Sequence, residues 1–213
     1  MAFSPTIVPT VISTELKQAC LKVAGNEKPY LLEVNPKKEY KINKCAYNAK
    51  IEAESVGGRI IFGWAIFIWE NVMFDFIGHA VVEVEGQYYC VTPSIKADTK
   101  VLFLSDDSIS FDFENPNSRL PSCEIPISKR LEVKKLLETR ENIRTIKIKY
   151  PVSSGHISVT VEDAKALSKL ENQQRELIDK VNYFLHPVKA KCPCGSGRQF
   201  KKCCRPHMHK AFG

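Results

Sequence analysis

Apolar residues along this chain keep two different spacings, and the places where the spacing changes mark out its elements. Near the start, Leu16, Cys20 and Val23 fall on one face of a helix that Ser13 or Thr14 can cap and Gly25 can end. A strand at 30–34 follows. A helical spacing from 43 to about 55, stopped by Gly57-Gly58, then predicts a second helix beginning near Cys45. From residue 59 the pattern becomes strand-like. The runs 59–69, 74–85, 88–92, 101–104 and 109–113 are rich in Ile, Val, Phe and Tyr, and turn residues such as Glu85-Gly86 and Asp106-Asp107 separate them, so a mostly antiparallel sheet is predicted. Residues 115–126 contain three prolines and read as irregular. Helical spacing returns from Ser128 to about Arg140, and 144–150 is predicted as a last strand. Thr160 and Asp163 then form a capping-box pattern. It opens a long helix whose stripe holds Ala164, Leu167, Leu170, Leu177, Val181 and Phe184 and which ends before Pro187.

This is the pattern of an α+β protein, an antiparallel sheet with flanking helices. A chain of 213 residues can bury one ordinary core and a small appendage. The longest apolar run, about 60–69, ends at Glu70 and falls short of the roughly 18 residues needed to span a bilayer, so no membrane insertion is expected. The N-terminus has no basic region ahead of an apolar block and carries Pro5 and Pro9, which predicts a cytoplasmic location. Trp64, Phe67, Trp69 and Phe74 read as core rather than as a base-stacking platform, because no basic residue is interleaved between 60 and 68.

Charge changes the picture at one end only. The net charge is +7, yet residues 180–213 hold eight Lys or Arg and no Asp or Glu, leaving the rest of the chain close to neutral. Cysteine shows the same asymmetry, with four of eight within thirteen positions: Cys192-Pro-Cys194, eight residues, then Cys203-Cys204. Such crowding points to a metal rather than a disulfide framework. Four soft donors suit tetrahedral zinc, which can supply the folding energy that so short a segment lacks. Gly195 and Gly197 let the chain fold back on the metal, and Phe200 is the one apolar plug. Arg198, Lys201, Lys202 and Arg205 can offset the charge of about −2 that zinc with four thiolates carries. His207 and His209 are alternative donors for the position of Cys204.

The run CPCGSGRQFKKCC resembles the SEC-C motif, best known from the C-terminus of the SecA preprotein translocase motor and also found on unrelated bacterial proteins. The resemblance implies zinc ligands at Cys192, Cys194, Cys203 and Cys204, a closed structural site, and docking to a protein partner through the basic knuckle, with RNA or the ribosome as the other candidate partner. No GxxxxGK[ST] sequence is present, so the chain is not the translocase motor itself.

A second constellation lies near the N-terminus. Asn43 is placed to cap a helix whose first turn holds Cys45, where the helix dipole lowers a thiol pKa; His79 sits in a predicted strand, and Cys90 and Thr92 sit on the next. This order over 43–94 resembles papain-like and transglutaminase-like cysteine enzymes, and implies Cys45 as nucleophile and His79 as base of a hydrolase or acyl-transferase. The position of the residue that would orient the imidazole falls on Cys90, with Thr92, Asp75, Glu83 and Asn48 as other candidates. For Cys45 the competing reading is a small buried residue, and for His79 a hydrogen-bonded core histidine. Cys20 and Cys123 read as packing or surface residues, His156 as a loop residue and His186 as the end of the long helix. The domains expected are an α+β domain at 1–150 with a papain-like candidate fold, a linking helix at 151–187, and the zinc-binding motif at 188–213. The functions that follow are a cysteine-dependent enzyme delivered by its zinc knuckle, or a zinc-dependent adaptor without chemistry of its own.

Overall fold

The computed structural model describes residues 6–26, 28–115, 117–153 and 156–213. Residues 1–5, on which the reading of the N-terminus partly rests, lie outside them. The described residues form two compact units: one from Ile7–Ile68 and Phe74–Ile125, the other from Trp69–Met73 and Pro126–Gly213.

The first unit is built on a sheet. Its elements in chain order are α1 (Thr14–Ala24), β1 (Tyr30–Glu33), α2 (Cys45–Val56), β2 (Arg59–Trp69), β3 (Met73–Val84), β4 (Gln87–Tyr89), β5 (Lys100–Ser105) and β6 (Ser122–Pro126). Ser13 Oγ accepts the Leu16 N–H at 3.2 Å, and Gly25, at φ 64°, ends α1 in the left-handed conformation that glycine adopts without steric cost. The sheet order is β1-β5-β2-β3-β4, with β6 also paired to β3. Phe103 of β5 lies between Tyr30 of β1 and Ala65 of β2, and Val82 of β3 faces Tyr89 of β4, all in antiparallel register. Beyond β4 the chain returns to β1. Cys90 forms a parallel bridge with Val34, its N–H donates to the Glu33 carbonyl at 3.0 Å, its carbonyl accepts the Asn35 N–H at 2.7 Å, and Tyr30 stacks on Tyr88. The outer strands are thereby joined, which hides backbone groups that an open edge would expose.

Alternation along β3 feeds two separate cores. Ala80 and Val82 pack with Val91, Tyr40 and the α2 residues Ala46, Ala49 and Ala53, while Val81 packs with Leu32, Ala65, Cys90, Val101 and Phe103. Three alanines bring α2 close to the sheet, and polar groups beneath it are paired. Glu52, 6 % exposed, accepts from the Tyr40 hydroxyl and Tyr89 hydroxyl and pairs with Lys37. Trp64, Trp69 and Phe74 are buried, as their pattern implied, and Phe67 packs against the second of these cores.

Four expectations are corrected here. Residues 109–113 are irregular rather than a strand: Phe111 and Phe113 turn against each other and against Tyr47, so an aromatic run is consumed by local ring packing. The proline-containing 115–126 includes β6, whose pairing with β3 follows the close approach of Pro121, where the Gly78 N–H donates to the Pro121 carbonyl at 2.7 Å. The strand expected at 88–92 is shorter, Gln87–Tyr89, because Cys90 turns to pair with Val34. Asn43 does not cap α2; it sits at φ 62° and the N-cap is Lys44, with no side-chain hydrogen bond.

The second unit is helical, with α3 (Leu131–Lys147), a two-stranded hairpin of β7 (Val152–Ser153) and β8 (His156–Ile157), α4 (Val161–Leu185) and α5 (Arg205–Phe212). Trp69, Val72 and Met73 pack with Val133 and Leu136 of α3 and Leu177, Ile178 and Val181 of α4. Thr160 Oγ1 accepts the Asp163 N–H at 3.2 Å, so the predicted cap is made. The strand expected at 144–150 is corrected to helix as far as Lys147, because α3 finds a partner in α4 and extends along it, with Lys147 paired to Glu171. His156, expected in a loop, lies in β8. No helix among the described residues is long and apolar enough to cross a membrane.

Candidate metal centre

The C-terminal segment folds back on itself through a small set of backbone bonds. The N–H of Cys192 donates to the Arg198 carbonyl at 2.7 Å, Lys191 bridges Gln199, and the Phe200 and Lys201 N–H groups donate to Ala190 and Val188. Between them Gly195 and Gly197 take φ of 80° and 74°, a region in which a side chain would be strained. A 3-10 turn, Phe200–Lys202, then sets Cys203 and Cys204 opposite Cys192 and Cys194.

The four Sγ atoms lie within 4.8 Å of one another, and among the described residues this is the one group of His, Cys, Asp or Glu close enough to share an ion. Cys194 and Cys203 sulfurs are 3.6 Å apart and those of Cys203 and Cys204 4.0 Å. A zinc–sulfur bond of about 2.3 Å in a regular tetrahedron places its sulfurs about 3.8 Å apart, so the donor set fits a zinc ion in both chemistry and size. Four thiolates would close the shell of such an ion. The centre is structural, with no place for an activated water.

Cys204, not a histidine, completes the four-sulfur cluster. His209 is held elsewhere, its Nδ1 2.6 Å from the Tyr183 hydroxyl and its ring stacked on that tyrosine, and His207 is outside the cluster. Phe200 is fully buried and packs with Cys192 and Cys203; Met208 of α5 packs against this cluster, and the His186 ring stands perpendicular to that of Phe200 with the ring centres 5.1 Å apart. His186 caps α4 and its Nε2 lies 2.9 Å from the Lys191 carbonyl, tying the long helix to the knuckle.

Two groups outside the donor set reach the sulfurs. Arg198 Nη2 is 3.4 Å from Cys203 Sγ, so one of the expected charge offsets is a direct contact. Arg205 instead lies over the Tyr183 ring at 5.1 Å. Ser196, which sequence reasoning passed over, has its hydroxyl 3.2 Å from Cys203 Sγ. Its hydroxyl and then its N–H bring the Cys194 thiol down to about 6, and the hydroxyl also lowers Cys203. Burial raises Cys192 and Cys204. Zinc binds all four as thiolates, so the donors of Ser196 assist the two that are lowered. A hydroxyl two residues beyond Cys194, between glycines that turn it inward, was the available signal.

Residues 189–206 match the SEC-C motif. The matched segment contains all four cysteines, so the motif and the geometry agree on a zinc knuckle. No curated protein and no solved structure shows a significant match to the chain.

The Cys45 region has a different character. Cys45 is the first residue of α2 and partly buried, and the backbone of Ala80, the residue after His79, is close enough to act on its thiol. Burial is the leading influence and pushes its thiol up, against the lowering expected from the helix start. His79 is also desolvated, which takes its pKa from 6.5 to about 4. Its Nε2 lies 3.2 Å from Cys90 Sγ and its ring meets Phe103 edge-on at 6.4 Å. Among the described residues no hydrogen bond joins Cys45 to His79. The other residues considered as orienters have partners of their own: Asn48 bonds the backbone of Lys41 and the Thr92 hydroxyl, and Glu83 takes Arg59 and the Gly86 N–H. Cys20 is fully buried and its thiol is pushed up to about 11; Cys123 is partly buried.

Proposed function

We propose that the chain is a zinc-dependent adaptor whose basic knuckle docks on an acidic surface of a protein partner. One observation carries this reading: the four-sulfur cluster organises a segment in which eight cations occur between 180 and 213 without a single carboxylate side chain. Zinc and four thiolates absorb about two positive charges, leaving an excess for a partner. Lys189, Lys191, Arg198, Lys201 and Lys202 are exposed around the knuckle. A rigid module with a one-signed surface gains encounter rate and selectivity for an acidic surface.

The test is fluorescence titration of the zinc-loaded full chain with a Glu- and Asp-rich peptide, and separately with a single-stranded RNA oligonucleotide. Peptide binding that weakens with salt and is lost in the Lys201→Glu, Lys202→Glu double variant is the expected result. Tighter binding of RNA, or no change on charge reversal, would replace the protein partner.

A cysteine enzyme is the second reading, favoured by the placement of Cys45 at the start of α2 with its thiol close to the backbone next to His79. Against it stands the direction of both pKa shifts, which keeps thiol and imidazole neutral near pH 7 rather than as a thiolate–imidazolium pair. An electrophilic thiol probe separates the two. Slow labelling of Cys45, unchanged by His79→Ala, fits the adaptor; fast labelling lost in that variant fits the enzyme.

A further inference from the structure

The four cysteines of the cluster differ in how they meet solvent. Cys194 is exposed, Cys192 and Cys203 are buried, and Cys204 is intermediate. The sulfur of exposed Cys194 is also 3.6 Å from that of buried Cys203. Cys203 has a second near neighbour, Cys204, at 4.0 Å. That pair is adjacent in sequence, and a trans peptide spaces consecutive Cα atoms about 3.8 Å apart, below the roughly 4.4 Å at which ordinary disulfides begin.

We propose that Cys194 is the point at which hydroperoxides enter the zinc knuckle, and that Cys203 resolves the oxidised sulfur as a disulfide that releases the metal and unfolds the docking module. The inference rests on the zinc centre and not on the identity of a partner.

The chemistry balances with hydrogen peroxide as oxidant. The Cys194 thiolate attacks one peroxide oxygen, the O–O bond breaks, and the sulfur becomes a sulfenic acid as hydroxide leaves. The Cys203 thiolate then attacks that sulfur, displaces a second hydroxide and forms the S–S bond. Two thiolates have given up two electrons, and one peroxide has become two hydroxides, which take protons from water's buffer. Cys192 and Cys204 alone are left to hold the ion. With two of four donors gone, Phe200 is the only apolar residue of the segment that is fully buried, and burial of one ring cannot hold about twenty residues against their conformational entropy. The thiols outside the knuckle are less exposed than Cys194: Cys20 and Cys90 are buried and pushed up to about 11, and Cys45 and Cys123 are partly buried.

The experiment exposes the zinc-loaded full chain to limiting hydrogen peroxide, follows zinc with a chromogenic chelator, and maps cysteines by peptide mass spectrometry through the time course. The expected first product is the Cys194–Cys203 disulfide, formed at the rate of zinc release, while Cys20, Cys45 and Cys90 stay reduced. Cys194→His keeps four zinc donors and removes the exposed thiol, and should slow zinc release at least tenfold; Cys204→His keeps the reactive pair and should release zinc within about threefold of the wild-type rate. A first disulfide elsewhere, core thiols oxidised before the knuckle, or unaltered release from Cys194→His overturns the proposal. The wild-type map decides even where a variant fails to bind zinc. Peroxide-driven release with no binding of acidic peptide would leave this inference standing and remove the adaptor reading.

Discussion

Replacing Phe200 with alanine tests whether the knuckle is a small folding unit or merely a chelate loop. Phe200 is fully buried against Cys192 and Cys203, with Met208 packed on that cluster and the His186 ring perpendicular to its own. Truncating a buried phenylalanine to alanine costs about 3–5 kcal/mol, because the lost transfer energy adds to that of the cavity. Structural zinc contributes about 10–16 kcal/mol to the folding of comparable peptides, so the variant should still bind metal. Since metal binding and folding of this segment are one event, the cost should appear in the apparent zinc affinity. At about 1.4 kcal/mol per tenfold, the expected weakening is roughly two to three and a half decades. The assay is competition with a chelator of known affinity on the full-length protein, with stoichiometry measured alongside. Phe200→Leu keeps most of the apolar contact and should lose tenfold or less. An alanine variant within about fivefold of wild type, still binding one zinc, would show that the plug is not part of the metal-linked fold.

Other consequences are separately measurable. His79 titrates at about 4 when folded against 6.5 for the free side chain, so the unfolded chain takes up the proton first; stability should be full above about pH 6.5 and fall by up to about 3 kcal/mol as the pH drops to about 4. Urea midpoints across that range should show the slope in wild type and its loss in His79→Gln. A Cβ at Gly78 would sit 2.6 Å from the Pro121 carbonyl oxygen and 2.7 Å from Leu120 Cβ, so Gly78→Ala should destabilise by about 1–3 kcal/mol, read as a lower denaturant midpoint. Thr160→Ala removes the cap of α4 and should cost about 1 kcal/mol, visible as a thermal shift of the helical unit; an unshifted transition would show that the cap is replaced by solvent.

What could be read from the sequence was local. The cap and stop of α1, the span of β2, the opening of α4 and the role of Phe200 depend on spacing of a few residues, and such spacing survives into the fold because the interactions close within one or two turns of chain. The zinc knuckle is the extreme case: its donors lie within thirteen positions, so composition and separation nearly define the geometry. Errors collected where distant segments decide. Residues 144–147 have no local reason to be helix until α4 lies beside them, and β6 exists because β3 offers an edge to a proline-containing segment.

The Cys45 region marks the same boundary from the functional side. Sequence order placed a cysteine at a helix start, a histidine on a strand and a cysteine on the next strand; the first two positions hold in the fold, while Cys90 lies just beyond β4 in a bridge to Val34. Desolvation and partner choice are properties of packing. Only the closure of β1 onto Cys90 and the covering of β3 by α2 determine that His79 meets Cys90 and that thiol and imidazole are both driven toward their neutral forms. Sequence by itself determined that zinc belongs at the C-terminus, because soft donors at short separation leave few other arrangements. Tertiary structure decided which cysteine faces solvent, which donors reach the thiolates, and how far burial suppresses the chemistry of Cys45, since each depends on groups that meet only after the chain has folded.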